Sequence, residues 1–190
     1  TMVCLVVTVS MELIYNVKLI LSLDNGVEYF AKYTNEEEEL VRQVKAQDNS
    51  FYRIHETSTR NVDGNKLTAN YNEGIAYDYH SISGYTSDPD VDQLKFMDKL
   101  GYKFLGDVMA VTNASVLGAD SILGVKYVLS SYAAPGWEKV ETIQPGNGKS
   151  VYYNPYALPV AFTYESSNML PDPEEKDEFL YQNQLFSYLS

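Results

Sequence analysis

The chain has 190 residues, of which 45% are hydrophobic and 21% charged, and this balance is that of a folded protein and excludes an intrinsically disordered one. The 14 Lys and Arg residues are scattered among 26 Asp and Glu, and the formal net charge of -12 excludes a nucleic-acid partner because a phosphate backbone would be repelled. The single cysteine, Cys4, excludes an internal disulfide and a cysteine-rich zinc site.

The length predicts one domain over residues 1–190. Its N-terminal segment, residues 1–16, contains the apolar run from Met2 to Val9, which lacks the basic region of a signal peptide. The run is shorter than the roughly 20 residues that cross a bilayer. Two interpretations stay open for this segment, the end of a membrane helix and a first strand, and the β-branched content of the run favours the strand.

A helix is predicted over residues 35–46. Thr34 and Glu37 have the spacing of a capping box, and the apolar residues that follow lie on one side of a helix. These residues are Leu40, Val41 and Val44. The acidic run 36–39 is compatible with calcium binding, but carboxylates at the start of a helix are explained more simply by the helix macrodipole.

The segment after this helix combines a short strand with a long loop. Alternating apolar and polar residues over 51–55 predict a half-buried strand, and Asp63 with Gly64 predicts a turn. Residues 57–88 are rich in Asn, Asp, Ser, Gly and Tyr and show little periodicity. This stretch is the longest irregular part of the chain, and long ordered loops often carry function.

Two more helices are predicted beyond the loop. Asp88 and Pro89 begin a helix with apolar residues at helical spacing as far as Leu100, and Gly101 ends it. A short helix is predicted over residues 113–123, which precede a glycine.

The strands are predicted mainly in the second half. Residues 125–129 have the pattern of a buried strand. The runs 137–143 and 150–153 flank the turn cluster 145–148, so they predict a hairpin. A last strand is predicted over residues 160–164.

The C-terminal segment completes the fold prediction. Asp172 and Pro173 predict the start of a terminal helix with an apolar face that includes Phe179 and Phe186. Helices and strands interleave without the regular period of a doubly wound fold. The predicted class is therefore α+β, with a mixed or mostly antiparallel sheet and helices packed against it.

Five residues are predicted to contact a substrate. Arg53 and His55 lie on one face of the predicted strand, and tyrosines follow in the loop. Such a cationic and aromatic surface suits a sugar or a phosphate group. The five residues are Arg53, His55, Tyr79, His80 and Tyr85. A structural interpretation stays open, in which Arg53 offsets acidic neighbours and the tyrosines line the edge of the core.

The sequence predicts no catalytic residue, no metal site and no cofactor. Neither of the two histidines has the spacing of a metalloprotease or zinc-finger motif, and the glycines and serines form neither a phosphate-binding loop nor a nucleophile elbow. Asp78 with His80 is compatible with a metal site or an acid-base pair. An Asp and a His two residues apart in a loop are, however, common by chance.

Six segments, in order over nearly the whole chain, carry a resemblance to one family. They are Glu12–Asn16, Phe51–Ile54 (FYRI), Ile82–Ser87, Leu123–Leu129 (LGVKYVL), Val151–Pro159 (VYYNPYALP) and Phe179–Leu185. Their order and spacing resemble the bacterial YfhO membrane-protein family. The third segment departs from the family pattern, since Gly84 stands where a histidine is often expected.

The resemblance implies a multi-spanning membrane glycosyltransferase of the C-type fold, which glycosylates lipoteichoic acid with a sugar carried on undecaprenyl phosphate. It also implies that the catalytic acid lies on an early loop outside this chain, so no catalytic residue carries over. We therefore interpret the chain as an extracytoplasmic accessory domain at the cell membrane of a Gram-positive bacterium. The membrane and a lipid-linked sugar or a teichoic acid polymer are its expected partners.

Two other interpretations stay open. The first is a non-catalytic cell-surface module that binds a polymer or a protein. The second is a secreted hydrolase, which requires Asp78 and His80 together in a deep pocket.

Overall fold

The computed structural model describes residues 2–23, 26–57, 72–86, 88–102, 115–163, 171–172 and 175–189. The chain divides into two compact units, Thr1–Asn35 and Glu36–Ser190, which we call the N-terminal unit and the main unit. A single domain over residues 1–190 remains a prediction.

The N-terminal unit contains helix α1, Met2–Leu23. The predicted first strand is wrong, because an isolated apolar segment satisfies its backbone hydrogen bonds internally only as a helix. At 1.5 Å per residue α1 is about 33 Å long, which matches the hydrocarbon core of a bilayer. Its stretch Met2–Leu21 is long and apolar enough to cross a membrane, and no part of that stretch is buried inside the protein.

Helix α2, Gly26–Gln47, begins earlier than the sequence predicts. Thr34 lies inside the helix, so the capping-box spacing does not mark its start. The predicted apolar face is confirmed, since Leu40, Val41 and Val44 are buried in the main unit. The macrodipole explanation of the acidic run is wrong, because the run lies in the middle of the helix and Glu37 is fully buried.

The main unit is built on one mixed four-stranded sheet. Its strands are β1 (Arg53–Glu56), β2 (Val125–Ser130), β3 (Glu138–Lys139) and β4 (Ser150–Tyr153), in the order β1-β2-β4-β3. β1 pairs with β2 in parallel, whereas the other two pairs are antiparallel. The structure confirms the predicted α+β class and the predicted hairpin.

The turn of this hairpin follows from its residues. Asn147 and Gly148 both have positive φ, 51° and 70°, and Gly146 and Lys149 exchange backbone hydrogen bonds of 3.1 and 2.8 Å. Two successive positive φ values define the mirror-image turn that matches the twist of a hairpin, and Asn and Gly are the residues that tolerate it.

Helices and loops cover both faces of the sheet. Tyr127 and Leu129 of β2 join a core with α2, while Val128 joins a second core on the other face. The short helix α3 (Glu73–Ala76) precedes α4 (Val91–Lys99) in the chain. The second core includes residues of α4 and α5 (Leu117–Ile122), and α6 (Glu178–Leu189) packs against it. Burial on both faces explains why apolar residues of β2 point to both sides of the sheet.

The helix boundaries refine the sequence predictions. α4 is capped by Asp90, whose carboxylate accepts the backbone N–H groups of Asp92 and Gln93 at 2.9 and 3.0 Å, rather than by Asp88. α6 begins at Glu178 instead of near Asp172, and Asp177 accepts the N–H of Leu180 at 2.8 Å.

The last predicted strand is wrong over the part that the structure describes. Residues 160–163 form no strand, because no neighbouring strand is available to them among the described residues. The predicted turn at Asp63 and Gly64 lies outside the described residues.

Candidate functional site

Two neighbouring clefts lie at the outer edge of β1, in the main unit. The first, the α2 cleft, has a volume of about 490 Å³ and lies between the end of α2, at Lys45, and the segment 74–80. The second, the arginine cleft, has a volume of about 380 Å³ and is lined by Arg53 and residues of the segment 72–84. The two clefts share Phe51, Gly74, Ile75, Tyr79 and His80.

Backbone hydrogen bonds fix the wall between the clefts. The N–H of Ile54 donates to the carbonyl of His80 at 2.8 Å, and Ile54 pairs with Ser81 as an isolated bridge. The N–H of Tyr79 donates to the carbonyl of Gly74 at 2.8 Å. A Cβ at Gly74 would lie 2.8 Å from the Tyr79 carbonyl oxygen, so the turn requires a glycine there.

The wall carries an exposed aromatic ring. The rings of Phe51 and His80 lie 4.5 Å apart between centroids, tilted by 52°. The side chain of Phe51 is nevertheless 64% exposed, and Ile75 nearby is also exposed. An apolar surface beside a cleft with polar walls is typical of a ligand-binding or partner-binding site.

Ion pairs tie the end of α2 to the surrounding residues. Lys45 Nζ lies 2.6 Å from Asp78 Oδ2, and the hydrogen bond from Lys45 lowers the pKa of that carboxyl. Lys126 Nζ lies 2.5 Å from Asp48 Oδ2. Burial alone would raise the pKa of Asp48, but hydrogen bonds from Lys126 and Ser50 hold it well below its usual range. The charges in the α2 cleft are therefore largely compensated.

Three of the five predicted binding residues line the clefts. Arg53 lines the arginine cleft, and Tyr79 and His80 line both. Tyr85 is exposed beside the arginine cleft, where its N–H donates to Asn72 Oδ1 at 2.9 Å. His55 is not among the described residues that line either cleft.

His55 is instead fully buried, and its ring lies 6.4 Å from the ring of Tyr102, a residue of the second core. The alternation of residues 51–55 predicted that Arg53 and His55 share one face of the strand. The register shift between Arg53 and Ile54 places one extra residue, Lys126, in β2 rather than in β1, since Arg53 pairs with Val125 and Ile54 with Tyr127. Full burial therefore separates His55 from the clefts, and alternation along a strand does not reveal that burial.

Asp78 and His80 both line the α2 cleft, but they do not form the buried pair that a hydrolase requires. The Asp78 side chain is 99% exposed and is engaged by Lys45. A deep pocket around this pair is therefore contradicted. Among the residues that the structure describes, no group of three or more His, Cys, Asp or Glu side chains could hold a metal ion.

A buried ionic cluster behind the clefts was missed by sequence reasoning. Lys149 is 1% exposed, lies 2.6 Å from Glu37 Oε2, and also pairs with Glu56 Oε1. Asn147 Nδ2 donates to Glu37 at 2.8 Å, and the Tyr79 hydroxyl donates to Glu56 at 3.4 Å. The cluster thus joins α2, β1, the hairpin turn and the wall of the clefts.

Burial and charge act against each other in this cluster. Burial raises the pKa of Glu37, and the nearby Glu56 raises it further, while Lys149 opposes both. Burial lowers the pKa of Lys149, but the two carboxylates outweigh this and raise it. A lysine after a turn sequence gives no signal of such burial, because turns are normally on the surface.

A second buried carboxyl lies on the opposite face of the sheet. The Tyr102 hydroxyl donates to Asp120 Oδ1 at 2.5 Å, and Ser115 donates to the other oxygen. Burial raises the pKa of Asp120 to about 8, against the opposing hydrogen bond from Tyr102. Asp120 is not among the described residues that line either cleft.

The chain combines a helix that is long and apolar enough to cross a bilayer with an α+β unit that carries surface clefts. The family model of the bacterial membrane protein YfhO matches residues 1–190. The chain therefore belongs to the YfhO family, as the resemblance in its sequence implied, and it is a membrane protein. No curated protein and no solved structure matches the chain.

Proposed function

We propose that the chain is an extracytoplasmic accessory domain of a multi-spanning membrane glycosyltransferase of the C-type fold. In this proposal the full-length protein glycosylates lipoteichoic acid in a Gram-positive envelope, with a sugar carried on undecaprenyl phosphate. Membership of the YfhO family supports the membrane association, and α1 supplies a segment able to cross the bilayer. The chemistry belongs to parts of the protein outside this chain.

The observation that carries the proposal is the exposed ring of Phe51 at the junction of the two clefts. The apolar face of a sugar ring can pack on an exposed aromatic ring, while its hydroxyls need polar partners around it. Lys45, Asp78 and Ser50 supply such partners in the α2 cleft. The main unit is therefore suited to hold a saccharide.

Holding a saccharide near the membrane would contribute to catalysis by positioning. An acceptor polymer or a lipid-linked donor that is already bound reacts without the full entropic cost of a bimolecular encounter. In this proposal Arg53, Tyr79 and His80 take part in binding, and Tyr85 lies at the margin of the arginine cleft.

The test is glycan transfer by the full-length protein in bacterial membranes, with labelled sugar and lipoteichoic acid as acceptor. Phe51→Ala should lower transfer roughly fivefold to tenfold, since one aromatic contact of this kind is worth about 1–1.5 kcal/mol. Tyr156→Ala is the matched control, because Tyr156 is 62% exposed, close to the 64% of Phe51, and lies outside the described lining of both clefts. Equal transfer by the two variants would remove the positioning role.

The alternative function is a non-catalytic cell-surface module for a polymer or a protein. The exposed apolar pair Phe179 and Leu180 on α6 favours a protein partner for this alternative. Native mass spectrometry and a glycan array, both with this chain in detergent, distinguish the binding module from the accessory domain of a glycosyltransferase. Tight binding by the chain, in a full-length protein that transfers no sugar, would favour the module.

A further inference from the structure

We infer that the arginine cleft is a subsite for a phosphate group, in particular for the phosphodiester or phosphate monoester of a larger ligand. This assignment deepens the proposed function and rests on it for the saccharide that would occupy the adjoining α2 cleft. The two clefts meet at Phe51 and His80, so one molecule can reach both.

The donors of Arg53 are the first argument. The guanidinium donates from Nη1 to the carbonyl of Leu123 at 2.5 Å, which anchors the side chain at one corner. Among the described residues, the carbonyl of Leu123 is the one acceptor of a hydrogen bond from the Arg53 side chain. Four of the five N–H donors of Arg53 therefore remain for the cleft that Arg53 lines. A planar fork of this kind binds phosphate oxygens in pairs.

The charge of the lining is the second argument. In a chain with a formal net charge of -12, the described residues that line the arginine cleft include no Asp and no Glu. Glu73, next in sequence to Asn72 and Gly74, is hydrogen-bonded to Glu56. Asp48 and Asp78 line the neighbouring α2 cleft, where Lys126 pairs with Asp48 and Lys45 pairs with Asp78.

The remaining lining groups complete the polar wall. His80 brings an imidazole, and Ser81 and Ser83 bring hydroxyl groups. Hydroxyl and imidazole N–H groups are donors that phosphate oxygens accept readily. The α2 cleft contains aspartate as well as lysine, so an anionic group should bind more favourably in the arginine cleft than in the α2 cleft.

Calorimetric titration of the whole chain in detergent micelles tests this subsite with two probes. Glycerophosphoglycerol represents the phosphodiester of a polymer, and farnesyl phosphate represents a phosphate carried by a lipid. The chain should bind at least one of them, and the probe that binds identifies the source of the phosphate. Absence of heat with both probes would overturn the assignment.

Substitutions locate the binding. Arg53→Gln should weaken it roughly tenfold or more, because a hydrogen bond between charged groups is lost. Lys139→Gln makes the same change of charge on β3, outside the described lining of both clefts, and should leave the affinity unchanged. Unchanged affinity in Arg53→Gln, or an equal loss in Lys139→Gln, would refute a specific subsite.

A further variant guards against misfolding. Arg53→Gln loses the hydrogen bond to Leu123, and the fluorescence of Trp137 shows whether this variant folds. If Arg53→Gln does not fold, His80→Gln takes its place in the comparison. We expect a loss of several-fold in His80→Gln, and unchanged affinity there would count against the subsite. Failure of the proposed function is a separate result, since glycan transfer that depends on Phe51 can persist in a protein that binds neither phosphate probe.

Discussion

Lys149 offers the most direct test of how the main unit is held together. Its ammonium group lies 2.6 Å from Glu37 Oε2 and is paired with Glu56, and the side chains of all three are buried. Methionine in its place keeps most of the volume and removes the charge. Lys149→Met therefore leaves two buried carboxyl groups without their cation.

The burial of these ion pairs sets the expected loss of stability in Lys149→Met. Removal of one partner of a buried ion pair typically destabilises a protein by about 3–5 kcal/mol, because the remaining charge is buried without compensation. A domain of this size has a free energy of unfolding of only about 5–15 kcal/mol. Lys149→Met should thus remove a large share of the stability of the main unit, whereas Lys139→Met at an exposed position should stay within about 0.5 kcal/mol of the parent.

The assay is urea unfolding of the chain in detergent, followed by tryptophan fluorescence. Trp137 is the one tryptophan of the sequence, and it is buried in the main unit, so its emission reports that unit alone. The destabilisation caused by Lys149→Met should decrease as the pH falls, because protonation neutralises the two carboxyl groups that this variant leaves unpaired. A loss below about 1 kcal/mol at neutral pH, or a loss equal to that of Lys139→Met, would refute the reasoning.

Two further predictions concern single residues of the main unit. The raised pKa of Asp120, about 8, means that the folded protein binds a proton that the unfolded chain releases. The free energy of unfolding should therefore fall as the pH rises from about 4 to about 8, and urea curves should show that Asp120→Asn flattens this dependence. An unchanged slope would contradict that assignment. Gly74→Ala should lower the free energy of unfolding by about 1–3 kcal/mol, because the added Cβ would meet the Tyr79 carbonyl. The loss should appear as a lower Tm, whereas a parental Tm would show that the turn can shift.

Much of the fold could be predicted because its signals are local. The apolar spacing of α4, the buried pattern of β2 and the turn residues Asn147 and Gly148 act within a few neighbours, and the structure confirms all three. The first strand was wrong for the opposite reason. β-branched residues favour strands only when a sheet is there to receive them, and in α1 the apolar run is helical.

The candidate site was only partly within reach of sequence reasoning. The composition of the loop and the basic residues of β1 pointed to Arg53, Tyr79 and His80, which line the clefts. Phe51 was used only as part of a strand pattern, because the exposure of a ring cannot be read from alternation alone. The burial of His55 beside Tyr102 could not be predicted, because it depends on packing against the sheet and not on alternation along β1.

The sequence by itself determined the α+β class, the membrane-protein family, and the helices and turns whose signals lie within a few residues of one another. Tertiary structure alone decided the strand order, the burial of Lys149 between Glu37 and Glu56, and the meeting of two clefts at Phe51. The physical reason is that burial and cleft formation depend on which elements pack together. Contacts between residues as far apart as Glu56 and Lys149 leave no trace in local periodicity.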